Sequence, residues 1–454
     1  MVILEDLWEK QIKDGNKISK KIYWQLSDLK PSSVRIFSCF NRNYFKNSFL
    51  LLHIMVKISA LNPYLPTSPS EFCTNPYDII EKEEERRLKQ NLNSLIHLIL
   101  PEGEGEEVYP NAFKSYKRFK SEGLITLETT PSIFVYRQES AQFSQQGFIL
   151  GLALQDYEDG NIVRHENTRE KPLKDRTKHI VSTNVAAGLV WSVYRSNQEI
   201  NNILEQIKRK KPKFDFLKYG YHHILWKEDD PLIIKKLENL FKEIKVYIAD
   251  GHHRAASAAE YRKIQIEKSN GTSDPDEPWQ YLLSYVASDD QVRILPYNRV
   301  IRRIHVSEND FLEELKEIYE VFLTEKGFNP ESKHQIALCL KGNWYRLTVK
   351  NKNFKSEYES LDVTILQEKI LKPILGISDP RSDKNLFFVG GIQDPNEMEK
   401  YVTEEDNDCF FNLYPVDIRN LESIAELGGV MPPKSTWFDP KVLSGLVLHE
   451  LKEN

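Results

Sequence analysis

Apolar positions recur along this chain first at helical and then at strand spacing, and the alternation predicts an α/β fold of mixed α+β character. The charged run Glu81-Lys82-Glu83-Glu84-Glu85-Arg86-Arg87 leads into Leu88, Leu92, Leu95, Ile96 and Ile99, which share one helix face while the charges face water. A second helix is expected over 112–122, closed by Gly123 as its C-terminal cap. Strands follow at 148–157 and 161–165. They flank Asp159-Gly160, a dipeptide that accepts positive φ and so predicts a β-hairpin with a primed two-residue turn. Amphipathic helices over 200–208 and 231–241 bring the chain to an apolar strand at 246–249 and an alanine-rich helix at 255–262. Residues 268–278, rich in Ser, Asn, Gly, Asp and Pro, form a polar surface loop. A strand at 280–287 and an extended segment at 294–300 precede a C-terminal third that reads as more helical.

At 454 residues the chain exceeds one ordinary core, which divides it into an N-terminal extension (1–54, expected to be poorly ordered), an α/β core (55–300) and a C-terminal part (301–454) that completes a cleft. With 62 Lys+Arg against 67 Asp+Glu, the net charge of -5 argues against a nucleic-acid partner. Cys39, Cys73, Cys339 and Cys409 lie far apart with no metal-ligand spacing, as for free thiols in a reducing compartment. The run Phe49-Leu50-Leu51-Leu52 is stopped by His53 and Lys57. It is too short to cross a membrane and lacks a cleavage site, so a cytoplasmic protein without a membrane partner is expected. An amphipathic targeting role for Arg35, Arg42 and Lys46 among Phe37, Phe40 and Phe45 stays open.

The densest chemistry lies at Asp250-Gly251-His252-His253-Arg254, where the strand gives way to the helix. Gly251 permits a close turn, and the first helical N–H groups point outward without partners. The two histidines and the arginine add donors or charge, so the corner suits a phosphate. Asp250 can hold magnesium or accept a proton from a hydroxyl. Two further groups extend this set. His165, Glu166 and Arg169 follow the expected hairpin with Arg176 close behind, pairing a candidate base with guanidinium forks for a phosphate or carboxylate. Lys434, Ser435 and Thr436 follow Gly428 like the tail of a Walker loop, but Pro433 lacks the required N–H, leaving an anion clamp or a structural loop. Asp379-Pro380-Arg381-Ser382-Asp383-Lys384, followed by Gly390-Gly391, reads as a polar turn in which Arg381 pairs with Asp383. His222-His223 together with His252-His253 lacks diagnostic ligand spacing, and zinc is not expected there.

In this order the segments resemble domain of unknown function family 1015, whose members carry a strand, a DGHHR turn and a helix. The resemblance covers roughly 55–451, with blocks at Asn75-Pro76-Tyr77-Asp78, Phe134-Val135-Tyr136-Arg137-Gln138, 165–169, 247–259, 361–391 and 431–437. It departs from the pattern in residues 1–54 and at Asn62, where members more often carry arginine. The resemblance implies a nucleotide-binding core like those of ParB N-terminal domains and sulfiredoxin, with a helical, elaborated C-terminal part. It further implies ATP- or ADP-dependent phosphorylation of a free amino acid, L-serine. Nucleotide phosphates and magnesium would gather at Asp250, Gly251, His252, His253 and Arg254, with Asp250 as the metal ligand. Glu166 would serve as the base beside Asp250 and His253. His165, Arg169, Arg176, Lys434, Ser435 and Thr436 would hold the substrate. A ParB-like nucleotide switch and a phosphoester hydrolase are the alternatives.

Overall fold

The computed structural model of the protein describes residues 56–271, 274–391, 394–404 and 408–452; the expected N-terminal extension, 1–54, lies outside the described residues. Nine strands build the larger sheet in the order Ile162–Val163, Val246–Asp250, Val190–Tyr194, Tyr281–Ser288, Ser144–Ala153, Ile133–Glu139, Tyr221–Glu228 and Phe214–Lys218, with Ile58–Ser59 added beside Ser144–Ala153. Pairing is mixed. Val246–Asp250 runs parallel to Ile162–Val163 and antiparallel to Val190–Tyr194, which is itself parallel to Tyr281–Ser288.

These strands are continuous apolar runs because both faces are covered, and successive side chains enter opposite cores. Val246 and Ile248 join Ile200, Ile203, Leu237 and Phe241 of the helices Gln198–Ile207 and Pro231–Phe241. Tyr247 and Ala249 face the other way, toward the cluster of Tyr116, Phe119, Leu446 and Leu448. The second helix starts where the sequence places it, and the first starts two residues earlier than the expected 200. Asn197 accepts hydrogen bonds from the N–H groups of Glu199 and Ile200, and Asp230 accepts from Leu232 with Pro231 at the first helical position.

Three expectations are corrected. The hairpin at Asp159-Gly160 does not form: Leu154–Asp159 is a short helix, Gly160 (φ 82°) caps it, and Ile162–Val163 pairs with Val246 and Tyr247 instead. A helix end and a primed turn both require positive φ, so the dipeptide fits either. The helix expected from the charged run breaks into Lys82–Lys89 and Ile96–Ile99, with the Asn91 side chain accepting from Asn93 N between them. The C-terminal part is not chiefly helical. It holds a six-stranded antiparallel sheet ordered Tyr319–Thr324, Asn343–Val349, Gln335–Leu340, Cys409–Asn412, Tyr297–Ile301 and Leu386–Gly390. Its central hairpin turns at Lys341-Gly342, both at positive φ (47° and 87°).

The last segment returns to the first sheet. Trp437–Asp439 pairs with Arg293–Leu295, and His449–Glu450 pairs with Val185–Ala186. The loop before Trp437 is thereby laid across the end of Val246–Asp250. No helix among the described residues is long and apolar enough to cross a membrane.

Candidate functional site

Asp250 ends its strand, Gly251 turns the chain at φ 96°, and His252 opens a 17-residue helix. A Cβ at Gly251 would stand 3.0 Å from the Arg254 guanidinium, so close approach and positive φ both require glycine. The N–H groups of the first helical turn have no partner within the helix and carry its positive dipole end. Helix, strand end and returning loop enclose a cavity of about 370 Å³.

Its walls gather most of the residues expected from the sequence: His165, Glu166, Arg169, Asp250, Gly251, His252, His253, Arg254, Lys434, Ser435 and Thr436. Met431 N donates to His165 O at 2.8 Å, tying the returning loop to the segment that carries Glu166. The loop is held from below by Arg299. This buried guanidinium donates to the carbonyls of Tyr297 (2.6 Å), Pro433 (3.2 Å) and Lys434 (3.1 Å) and stacks on Phe388. With only carbonyl partners its charge is poorly compensated, and burial lowers its pKa to about 9.

Asp250 is not a free carboxylate. Its Oδ2 accepts from Arg254 Nη2 at 2.8 Å and its Oδ1 from Lys441 Nζ at 3.1 Å, while Arg254 Nη1 also donates to Leu189 O. Burial alone would raise this carboxyl, but Lys441 and Arg254 outweigh it and hold the pKa well below the usual carboxylate range. Glu166 is the opposite case: burial raises its pKa, Asp250 adds to the rise, and Lys434 opposes it. His252 is pushed far below the ordinary histidine value by burial and by His165 beside it, their ring centroids 4.4 Å apart. His253 is lowered by burial and by Arg169. For Lys434 burial works against the charge, yet Tyr297 and Glu166 prevail and its pKa rises.

Several expected residues stand elsewhere or are already engaged. Arg176 does not line the cavity: Nε donates to Asp175 Oδ2 at 2.8 Å, Nη1 to Ile99 O, and the guanidinium covers the outer side of the Tyr77 ring. It lies one turn beyond Pro172, the last residue of its helix to line the cavity, and of the cavity's walls reaches only the Tyr77 ring. Ser435 Oγ donates to Pro432 O at 2.6 Å and closes the loop on itself. The Asp379 carboxylate caps the N–H of Arg381 and Asp383 accepts from Asn385 N, which leaves the Arg381 side chain on the cavity wall without the expected pairing. His223 bonds to Tyr136 and Lys218 in the sheet, away from His252.

Sequence reasoning missed Asp78, Tyr297 and Lys441 as lining residues. Asp78 closes the Asn75-Pro76-Tyr77-Asp78 block, so the sequence does carry a signal for it. Lys441 and Tyr297 carry no local signal, because only the returning strand brings them to the site. Magnesium requires hard oxygen ligands, and Asp250, with both oxygens held by cations, does not fit as one. Glu166 and Asp78 are the carboxylates left on the walls.

A family model described as "Protein of unknown function (DUF1015)" matches residues 61–364. No curated protein matches the chain. Among solved structures, a free serine kinase in complex with AMP is similar over 64% of this chain and 86% of its own, at 14% identity and a TM-score of 0.33. A conserved hypothetical protein from Pyrococcus furiosus is similar over 66% and 95%, at 14% identity and 0.32. SbnI with a C-terminal truncation from Staphylococcus aureus is similar over 65% and 85%, at 12% identity and 0.34.

Proposed function

The chain belongs to the DUF1015 family, and from that premise we propose that it is a small-molecule kinase, transferring a phosphoryl group from ATP or ADP to the hydroxyl of free L-serine. One observation carries the reading: the N-terminus of a 17-residue helix, five cationic side chains (Arg169, Arg254, Arg381, Lys434 and Lys441) and one carboxylate of raised pKa meet in a single cavity. Phosphoryl transfer asks mainly for positioning and for charge stabilisation of the equatorial oxygens, and this set supplies both. The N–H groups beyond Gly251, with His253, face the nucleotide phosphates. Lys434 and Arg169 offset the charge of the transferring group, and Arg381 on the same wall suits the substrate carboxylate. Glu166, kept a better proton acceptor by burial, takes the proton of the attacking hydroxyl. Asp250 acts through others, fixing Arg254 and Lys441 in place. Magnesium, when bound with the nucleotide, supplies further charge neutralisation at the phosphates, with Glu166 and Asp78 within the same walls. The core is proposed to be related to ParB and sulfiredoxin domains, and the protein to work in the cytoplasm.

Phosphorus NMR of the protein with magnesium, ATP or ADP, and L-serine tests this directly. Serine-dependent O-phosphoserine in the wild type, and none with Glu166→Gln, is the expected result. Orthophosphate alone would instead mark a hydrolase or switch, and undiminished transfer by Glu166→Gln would remove the assigned base.

A further inference from the structure

The wall of this cavity holds a group of three side chains of which the proposed transfer uses only Glu166. His165 and His252 are 3% and 7% exposed, and their rings meet edge to face. His165 Nδ1 and His252 Nε2 are both buried without a hydrogen-bond partner. Buried polar atoms are ordinarily hydrogen-bonded, so two unsatisfied nitrogens on facing rings call for a partner. Glu166 completes the group: one ligand atom from each of the three lies within 4.8 Å of the others.

We propose that His165, His252 and Glu166 form a binding site for a single zinc-class transition-metal ion. Two neutral imidazoles and one carboxylate are the donor set of three-ligand zinc sites that keep a position open. Bonds of about 2.0–2.2 Å require only that side-chain rotation draw the three atoms inward around one centre. The frame for this is fixed. His252 is set by the Gly251 turn, and the backbone of His165 is anchored by Met431 N. Glu166 and His252 also border a second cavity, lined by Tyr157, Arg164, Asn167 and Gly428, so the group stands between two cavities. The imidazole pair explains the preference, since magnesium and calcium select oxygen and an ion drawn to nitrogen selects this group.

A ligating Glu166 cannot also accept a proton, so the ion and phosphoryl transfer exclude one another. The binding itself stands without the kinase reading, and only this consequence rests on it.

The test is zinc titration of chelator-stripped full-length protein against a chromophoric indicator, with cobalt absorption reporting imidazole ligation. About one zinc per chain is expected. His165→Ala, His252→Ala and Glu166→Gln should each weaken binding by at least the roughly 10- to 100-fold that loss of an outer-shell partner costs. His222→Asn, which removes an exposed histidine on another strand, should bind as the wild type does. Absence of stoichiometric binding, or unchanged affinity in both histidine variants, overturns the site and leaves water as the partner of the two nitrogens. Should those variants not fold, Glu166→Gln and the wild-type cobalt spectrum decide. Zinc binding by a protein whose zinc-free, magnesium-supplied form makes no phosphoserine would overturn the kinase reading alone.

Discussion

In the proposed reading, Asp250 shapes the site by fixing its neighbours and does not enter the chemistry. Its carboxylate is shared between Arg254 and Lys441, whose side chains are only 11% and 9% exposed. Removing the negative charge leaves two cations buried against each other, a change that costs roughly 3–5 kcal/mol when one partner of a buried pair is lost. Asp250→Asn is therefore expected to lower both the urea midpoint and phosphoryl transfer. Asp250→Asn combined with Lys441→Met should regain much of the stability, because one of the uncompensated charges is gone, while transfer stays low because Arg254 is still unanchored. Paired denaturation and turnover measurements on the two variants separate these effects. A single variant as stable as the wild type would show that the pairing is not energetically significant.

Among the elements, the strand–turn–helix at Val246–Asp250 and His252–Lys268 was legible because several signals agree there: an apolar run, a glycine needing φ 96°, and an alanine-rich helix. Gly251→Ala tests that agreement. Positive φ costs an L-residue about 1–2 kcal/mol, and the added Cβ displaces the Arg254 guanidinium, so the variant should fold yet bind ADP more weakly by calorimetry. Unaltered ADP affinity would mean that the turn does not face the phosphates. The hairpin at Asp159-Gly160 was misread because a single pair of residues carried it, and pairing partners lie elsewhere: Ile162 finds Val246, 84 positions further along the chain (246 − 162), a match that no local pattern encodes. Conversely, the true primed turn at Lys341-Gly342 was overlooked because Lys, unlike Asn or Asp, is not a usual residue at positive φ. The same limit explains the site. Residues on the turn itself were identifiable, whereas Lys441, Tyr297 and the support from Arg299 depend on the returning strand Trp437–Asp439.

For the molecule as a whole, the cores are crossed by ionisable groups whose burial ties stability to pH. His179 donates to Leu98 O at 2.7 Å, and His223 lies between Tyr136 and Lys218 O; both are neutral in the fold, burial lowering their pKa from 6.5 to about 4. Between those two values the unfolded chain binds protons that the folded chain refuses. Each histidine therefore contributes stability that is complete above pH 6.5 and is lost as pH falls toward 4, up to about 3 kcal/mol apiece. Asp362 opposes them. Burial raises its carboxyl from 3.8 to about 7, so the fold holds a proton that the unfolded chain has released, and this contribution is lost as pH rises. Two groups outweigh one, and His449, lowered by its own burial, adds to the majority. The urea midpoint should accordingly fall between pH 7 and pH 4.5. Asp362→Asn, which keeps a polar partner for the His334 N–H but removes the opposing titration, should make that fall steeper. A midpoint independent of pH in the wild type would require the histidines to be protonated in the fold. An unchanged slope in Asp362→Asn would instead show that the buried carboxyl titrates near its ordinary value.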